Sequence, residues 1–149
     1  MTGPTIHLCP IDELSSPQLA DVQTRSFAGY FVPIALTAET FDRDMRTAWL
    51  DPSLSWVAFA EAQAVACMFV ERADAVARVA AMAVVPSHRG LGIGSQLLSQ
   101  LVRQLPAAIT AIELEVIEQA LLAYDGALIV VSHDPVFIQT IGCAREIRL

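Results

Sequence analysis

The sequence predicts an α/β domain in which helices flank a mixed sheet, and three observations lead to this fold class. Short apolar runs alternate with amphipathic segments in the order strand, two helices, three strands, helix, strand. Apolar runs such as 79–85 and 127–131 have the length of strands. A basic, glycine-rich turn at 86–94 joins the first of these runs to an amphipathic helix.

The first half of the chain predicts one strand and two helices. Residues 5–9 form a mostly apolar run that ends at a proline, as a first strand would. Residues 17–27 repeat apolar side chains at helical spacing, and Ser16 is a suitable N-cap. Residues 37–50 alternate acidic and basic side chains around an apolar stripe, so we expect a second helix there.

Strands dominate the middle of the chain. Residues 54–61 and 64–72 are apolar runs joined at 62–63, which predicts a hairpin. Residues 76–85 predict the next strand. After the glycine-rich turn and its helix, residues 110–116 alternate polar and apolar side chains with period two, as a half-buried strand does.

The composition excludes several classes of function. A length of 149 residues fits a single domain, 1–149. The net charge of −7 and the pI of about 4.7 disfavour nucleic acid and anionic membranes as partners. No apolar run approaches the roughly 18 residues of a membrane span, and no signal peptide is recognisable.

Cysteine and lysine usage narrow the chemistry further. Three widely spaced cysteines favour neither a disulfide framework nor a zinc site, so we expect no metal and a reducing, cytoplasmic environment. The sequence contains no lysine. This excludes a Walker A phosphate loop and a pyridoxal Schiff base, both of which require one.

The turn before the third helix has the chemistry of an anion site. The apolar face of its helix comprises Ile93, Leu97, Leu98, Leu101, Val102 and Leu105. The first N–H groups of a helix lack intrahelical partners, and the helix dipole makes that end positive. Glycines at 90, 92 and 94 allow a ligand to approach these groups, and Arg89 adds a planar cationic donor. We therefore expect residues 89–95 to bind a pyrophosphate.

Two other interpretations of this turn compete with that one. The first is a glycine-rich connection without a ligand. The second is a dinucleotide-binding fingerprint, since Glu113 lies near the expected distance downstream. That fingerprint requires Gly-x-Gly-x-x-Gly directly after the strand, whereas the spacing here is Gly-x-Gly-x-Gly behind Pro-Ser-His-Arg.

The segment 84–98, Val-Val-Pro-Ser-His-Arg-Gly-Leu-Gly-Ile-Gly-Ser-Gln-Leu-Leu, closely resembles the acetyl-CoA-binding motif of the GCN5-related N-acetyltransferases (GNAT). The family pattern is Arg or Gln, two residues, Gly, one residue, then Gly or Ala, and Arg89, Gly92 and Gly94 match it. The resemblance covers about residues 1–119. It implies the GNAT fold, a central mixed twisted sheet whose middle strands splay apart.

The resemblance also implies a set of cofactor-binding residues. The pantetheine arm of acetyl-CoA, the co-substrate, would enter the splay and pair with the main chain of residues 82–84. The pyrophosphate would lie on the turn. The residues implied are Met82, Ala83, Val84, Arg89, Gly90, Leu91, Gly92, Ile93, Gly94 and Ser95.

The activity implied is N-acetyl transfer from acetyl-CoA to an amine of a small molecule or peptide. In the family, the loop between the first two helices lies at the acceptor pocket, so Tyr30 and Phe31 are candidate substrate-binding residues. Their alternative role is to cover the core. An alkylammonium acceptor with a pKa near 10 must lose a proton, so a base or a water chain is required.

Three residues are candidates for catalysis. Glu113 and Glu115 share the polar face of strand 110–116, opposite Ile112, Leu114 and Val116, and are the best candidate bases; their alternative role is that of solvated surface residues. Tyr124 stands three residues before the position at which the family places its tyrosine acid, so protonation of the leaving thiolate depends on its reach.

The last part of the chain, about 117–149, departs from the family pattern. It is similar to the end of a translation-factor-type ATP-binding-cassette domain, with Val-Val-Ser-His-Asp at 130–134. Its strand-like run could complete the sheet; packing of that apolar edge, or a homodimer through it, would explain the mean hydropathy of +0.51. Because of this substitution, an acetyl-CoA-binding protein with little or no catalysis is the alternative function, and nucleotide hydrolysis is a remote third.

Overall fold

The computed structural model describes residues 3–30, 34–46 and 49–114. Within these ranges, short 3-10 turns at Ile11–Glu13 and Pro86–His88 accompany the main elements. The helices and strands are β1 (Ile6–Pro10), α1 (Ser16–Ser26), α2 (Ala38–Phe41), β2 (Trp56–Ala60), β3 (Gln63–Ala73), β4 (Val76–Val84), α3 (Ile93–Gln104) and β5 (Ala111–Leu114). No helix in these ranges is both long and apolar enough to cross a membrane.

The sheet has the order β1-β2-β3-β4-β5 among the described strands. The first four strands are antiparallel neighbours. β5 runs parallel to β4 because α3 carries the chain back across the sheet between them, and the described pairing extends from Val76↔Ala111 to Val79↔Leu114. The predicted mixed sheet with flanking helices is therefore confirmed.

Each face of the sheet has its own core. On one face, α3 packs Ile93, Leu97 and Leu101 against β2, β3 and β4. On the other, α1 and α2 pack against β3, where the rings of Phe41 and Phe69 meet edge to face at 5.3 Å. As predicted, Ile112 and Leu114 of β5 face a core, on the side of α3.

β4 contains one extra residue relative to β3. Phe69 pairs with Ala81 but Val70 pairs with Val79, so Ala80 forms a bulge. In a regular strand, residues two apart share a face. Here Val79 belongs to the core on the α3 side and Ala81 packs against the core on the α1 side. Residues of β4 after the bulge therefore face the side of the sheet opposite to the one that unbroken alternation would give them.

The start of α1 differs by one residue from the prediction. Ser15, not Ser16, is the N-cap: its hydroxyl accepts from the Gln18 N–H, and the Gln18 side chain accepts from the Ser15 N–H at 2.9 Å. This reciprocal pair is a capping box. Ser16 instead donates its hydroxyl to Asp42 and accepts from Arg46 at 2.7 Å.

The predicted helix at 37–50 is confirmed in part: the described chain is helical over 38–46 and has left the helix by residue 49. α2 spans only four residues and is followed by a π-helical turn, Asp42–Arg46. Arg46 donates to the carbonyl of Leu14 at 3.0 Å, which ties this turn to the start of α1. Leu50 already forms a β-bridge to Glu71, so the helix cannot continue to that residue.

Candidate functional site

The glycine-rich turn is built from two left-handed residues. Gly90 and Gly92 have φ of +77° and +74°, and α3 begins directly afterwards at Ile93. A Cβ added at either glycine would meet no atom within 4 Å. The requirement for glycine is therefore conformational rather than steric, because other L-residues rarely adopt this φ.

The N-terminus of α3 opens at this turn. The first intrahelical bond that reaches back to the turn runs from the Gln96 N–H to the Gly92 carbonyl, at 3.1 Å. The N–H groups of Ile93 and Gly94 come earlier and have no carbonyl one helical turn behind them. Together with the helix dipole, they form the polar end that an anion would meet.

α3 is fixed to the sheet by one side. Ile93, Leu97 and Leu101 are at most 1 % exposed, so the turn sits on a rigid base. Val102, expected on the apolar face, is 60 % exposed and lies outside the contact with the sheet. At 3.6 residues per turn, a residue one position after Leu101 points about 100° away from it.

Arg89 precedes the turn, and its side chain points back toward the protein. Nε donates to the carbonyl of Val84 at 2.9 Å. One terminal nitrogen donates to the carbonyls of Ser26, at 3.1 Å, and Ala28, at 3.3 Å. The structure thus gives this guanidinium partners other than the phosphate oxygens that the sequence suggests.

Near the end of β4, two residues direct their main-chain N–H and C=O groups away from β3. The Val85 N–H donates to the Val65 carbonyl at 2.8 Å, so residue 85 faces β3. Alternate residues face alternate edges, so Ala83 also turns its N–H and C=O toward β3. Met82 and Val84 turn theirs to the opposite edge, where the described pairing with β5 has ended at Val79 and the Val84 carbonyl accepts from Arg89.

A cross-strand ion cluster lies on the α1 side of the sheet. Arg78 of β4 donates to Glu113 of β5 at 3.1 Å and to Glu71 of β3 at 3.3 Å. The hydrogen bond to Glu113, followed by the charge of Glu71, raises the pKa of Arg78 above its ordinary value. One predicted base, Glu113, is therefore paired with a cation.

Sequence reasoning missed Arg78, although a signal for it was present. Glu71 lies three residues before Asp74 and Arg78 three residues after Ala75, so a hairpin that turns at Asp74-Ala75 places them side by side. Glu113 joins them because β4 and β5 are parallel neighbours. That second pairing depends on the crossover through α3, which the local sequence does not fix.

Comparison with known proteins decides the family. Residues 18–124 match the acetyltransferase (GNAT) family. The chain belongs to the GNAT family. A search of curated protein sequences finds no significant match.

Solved structures of acetyltransferases share the fold. The ribosomal-protein-S18-alanine N-acetyltransferase from Escherichia coli is 18% identical with a TM-score of 0.59, over 75% of this chain and 67% of that one. A GNAT acetyltransferase from Brucella melitensis in complex with acetyl-CoA is 19% identical with a TM-score of 0.57, over 75% and 76%. An aminoglycoside acetyltransferase from a soil metagenomic sample is 17% identical with a TM-score of 0.56, over 89% and 97%.

In this GNAT protein, the described part of the loop after α1 lies beside the glycine-rich turn. The Tyr30 N–H donates to the Phe27 carbonyl at 3.0 Å, and the two rings meet edge to face at 5.3 Å. Tyr30 is half-buried. The Arg89 contacts to Ser26 and Ala28 bring the beginning of this loop to the end of β4.

Several predicted site residues lie outside the described residues of this GNAT chain. They are Phe31, Glu115, Tyr124 and the whole cassette-like segment 117–149. Their roles stay predictions. Of the implied catalytic set, the structure describes Glu113 alone.

Cys67 is a buried thiol that sequence reasoning did not single out. It lies in β3 opposite Ala83 of β4 and is 0% exposed. Burial raises the pKa of this thiol from 9.0 to about 12, although the Ser26 side chain and the Ala83 backbone oppose the rise. A thiol that stays protonated is a poor nucleophile, so Cys67 is unsuited to carry an acetyl group.

The raised pKa predicts a loss of stability in alkali. Below pH 9 the Cys67 thiol is protonated in both the folded and the unfolded protein, so its ionisation does not lower the free energy of unfolding. As pH rises from 9 toward 12, the unfolded thiol ionises while the folded one does not, so the free energy of unfolding falls by about 1.4 kcal/mol per pH unit. Urea titrations at pH 8 and pH 10.5 should show a steeper decline for wild type than for Cys67→Ala. Parallel declines would contradict the burial effect.

Proposed function

We propose that this protein is an N-acetyltransferase that moves an acetyl group from acetyl-CoA to an amine of a peptide or small molecule. The observation that carries the proposal is the turn of Gly90 and Gly92, whose left-handed backbone opens the N-terminus of a rigidly packed α3. Membership of the GNAT family supports the reaction class. Two of the similar structures are named for acetyl transfer to an alanine of ribosomal protein S18 and to aminoglycosides, so both acceptor classes remain in the proposal.

We infer the fit of acetyl-CoA from main-chain groups at the start of α3 and at the end of β4. The α3 N-terminus would hold the pyrophosphate through the N–H groups that follow Gly92. The outward groups of Met82 and the N–H of Val84 would pair with the pantetheine arm, while the Val84 carbonyl accepts from Arg89. The thioester supplies an activated acetyl group, and the Val84 N–H is oriented to polarise a carbonyl at this edge.

The chain must also remove a proton from the acceptor amine. We assign this to Glu115, because the Glu113 carboxylate already accepts a hydrogen bond from Arg78 at 3.1 Å. The nitrogen of the neutral amine bonds to the acetyl carbon, the C–S bond breaks, and the departing thiolate takes up a proton. Tyr124 is the proposed donor of that proton, and a thiol pKa near 8.5 makes the thiolate a tolerable leaving group without it.

A cofactor-binding protein without turnover is the second candidate. The ion pair that occupies Glu113 favours it, as does the wholly apolar run 79–85, which offers no carboxylate from β4 itself. The two candidates share the cofactor site and differ only in the chemistry beside it.

Two measurements together separate these functions. Calorimetry measures acetyl-CoA binding, and thiol release is followed with an alanine-initiated peptide, kanamycin and a panel of simple amines. Turnover that Glu115→Gln lowers more than about tenfold supports the enzyme and its base, with Glu113→Gln as the matched control of smaller effect. Binding without turnover on any acceptor supports the second candidate. Absence of binding rejects both.

A further inference from the structure

The Arg89 guanidinium joins three parts of the chain that are far apart in sequence. It donates to the last residue of β4, to the last residue of α1 and to the loop that follows α1, through the carbonyls of Val84, Ser26 and Ala28. The separations in sequence reach 63 residues. One exposed side chain therefore links the end of α1, the loop after it and the end of β4.

The position of these carbonyls explains why a cation is held there. The last carbonyls of a helix have no intrahelical donor, and the dipole makes that end negative. Ser26 is the last residue of α1, and Ala28 lies two residues beyond it. A planar guanidinium satisfies both carbonyls with one nitrogen and still reaches Val84 with Nε, which a single ammonium group cannot do.

The two ends of this bridge belong to different parts of the proposed active site. Arg89 itself is followed directly by Gly90 and Gly92, which shape the cofactor turn. The carbonyls lead into the loop that carries Tyr30, the described candidate for the acceptor pocket. If ligand binding displaces the glycine-rich turn, the hydrogen bonds of Arg89 to Ser26 and Ala28 would displace the loop after α1 as well.

We propose that Arg89 is a positioning residue that couples the cofactor turn to the acceptor loop, residues 27–30. Its hydrogen bonds set the position of the acceptor loop relative to a bound acetyl-CoA, and they do so by their geometry rather than by neutralising phosphate charge. The inference rests on the proposed function, since it assumes that acetyl-CoA occupies the turn.

Two variants separate geometry from charge. Arg89→Lys keeps the charge and loses the fork, whereas Arg89→Ala loses both. Arg103→Ala, an exposed arginine in the last turn of α3, is the matched control for removal of one positive charge. Because Arg89 is exposed, we expect all three variants to fold, and thermal unfolding checks this.

The readouts are acetyl-CoA affinity by calorimetry, hydrogen exchange of the amides at 27–30 with and without acetyl-CoA, and steady-state kinetics on the acceptor that wild type uses. We expect acetyl-CoA to slow exchange at 27–30 in wild type and in Arg103→Ala, but not in the Arg89 variants. Arg89→Lys should bind acetyl-CoA within about threefold of wild type, while its kcat falls about 100-fold, because a loop displaced by an ångström misplaces the acceptor.

Each contrary result has a distinct meaning. If Arg89→Lys restores both loop protection and kcat, charge alone suffices and the coupling is wrong. If Arg89→Lys or Arg89→Ala weakens acetyl-CoA binding more than about tenfold without altering exchange at 27–30, the side chain serves the phosphates and the coupling is wrong. If wild type itself does not bind acetyl-CoA, the proposed function fails, and the coupling fails with it before any variant is compared.

Discussion

Replacing Gly92 with valine should abolish acetyl-CoA binding at micromolar concentrations. Residue 92 has a φ of +74° and immediately precedes α3, so a β-branched side chain there is strained by its own backbone. Relief of that strain would turn the N–H groups at the start of the helix away from the pyrophosphate. We expect a loss of at least about 100-fold in affinity, or roughly 2.7 kcal/mol, measured by calorimetry.

Two further variants show whether the backbone is the cause. Gly92→Asn should retain more affinity than valine, because asparagine tolerates the left-handed region. Leu91→Ala, in the same turn and 49 % exposed, should change affinity little, because it leaves the main chain unaltered. Equal losses in Gly92→Val and Leu91→Ala would show that the turn acts through its side chains. Unchanged affinity in Gly92→Val would remove the proposed cofactor site.

Replacing Leu97 with alanine should have the largest effect on stability. Leu97 is 0 % exposed and packs in the core between α3 and the sheet. Truncation removes buried methyl groups and leaves a cavity, which typically costs 2–5 kcal/mol; we expect about 3 kcal/mol. Against a total stability of about 5–15 kcal/mol, this should lower the urea midpoint markedly.

The matched control lies on the same helix. Val102 is 60 % exposed, so Val102→Ala should change the free energy of unfolding by no more than about 0.5 kcal/mol. Urea unfolding followed by circular dichroism measures both variants. If both variants lower the free energy of unfolding equally, α3 is not anchored through Leu97, and the claim that the glycine-rich turn sits on a rigid base is wrong.

The sequence by itself determined the fold class and the place of the glycine-rich turn. Period-two runs predicted the strands because alternate residues of a half-buried strand face the core. Gly90, Gly92 and the amphipathic spacing of α3 are local features, since φ and helical periodicity depend on neighbours in the chain. The element order and the family motif extended this to an acetyltransferase, which the family match confirms.

Some predictions from the sequence remain untested, because they concern residues outside those described. These are the roles of Glu115 and Tyr124 and the cassette-like nature of 117–149. The homodimer and the cytoplasmic location also stay predictions.

Tertiary structure alone decided three features of the candidate site. The bulge at Ala80 reversed the facing of the end of β4, and pairing with Arg78 occupied Glu113. The Arg89 side chain, which the sequence suggests for phosphate binding, instead donates to the carbonyls of Ser26 and Ala28. In each case the deciding partner lies on another element, up to 63 residues away. Local sequence cannot report such partners, because a charged side chain takes whichever donor or acceptor the packed elements bring within reach.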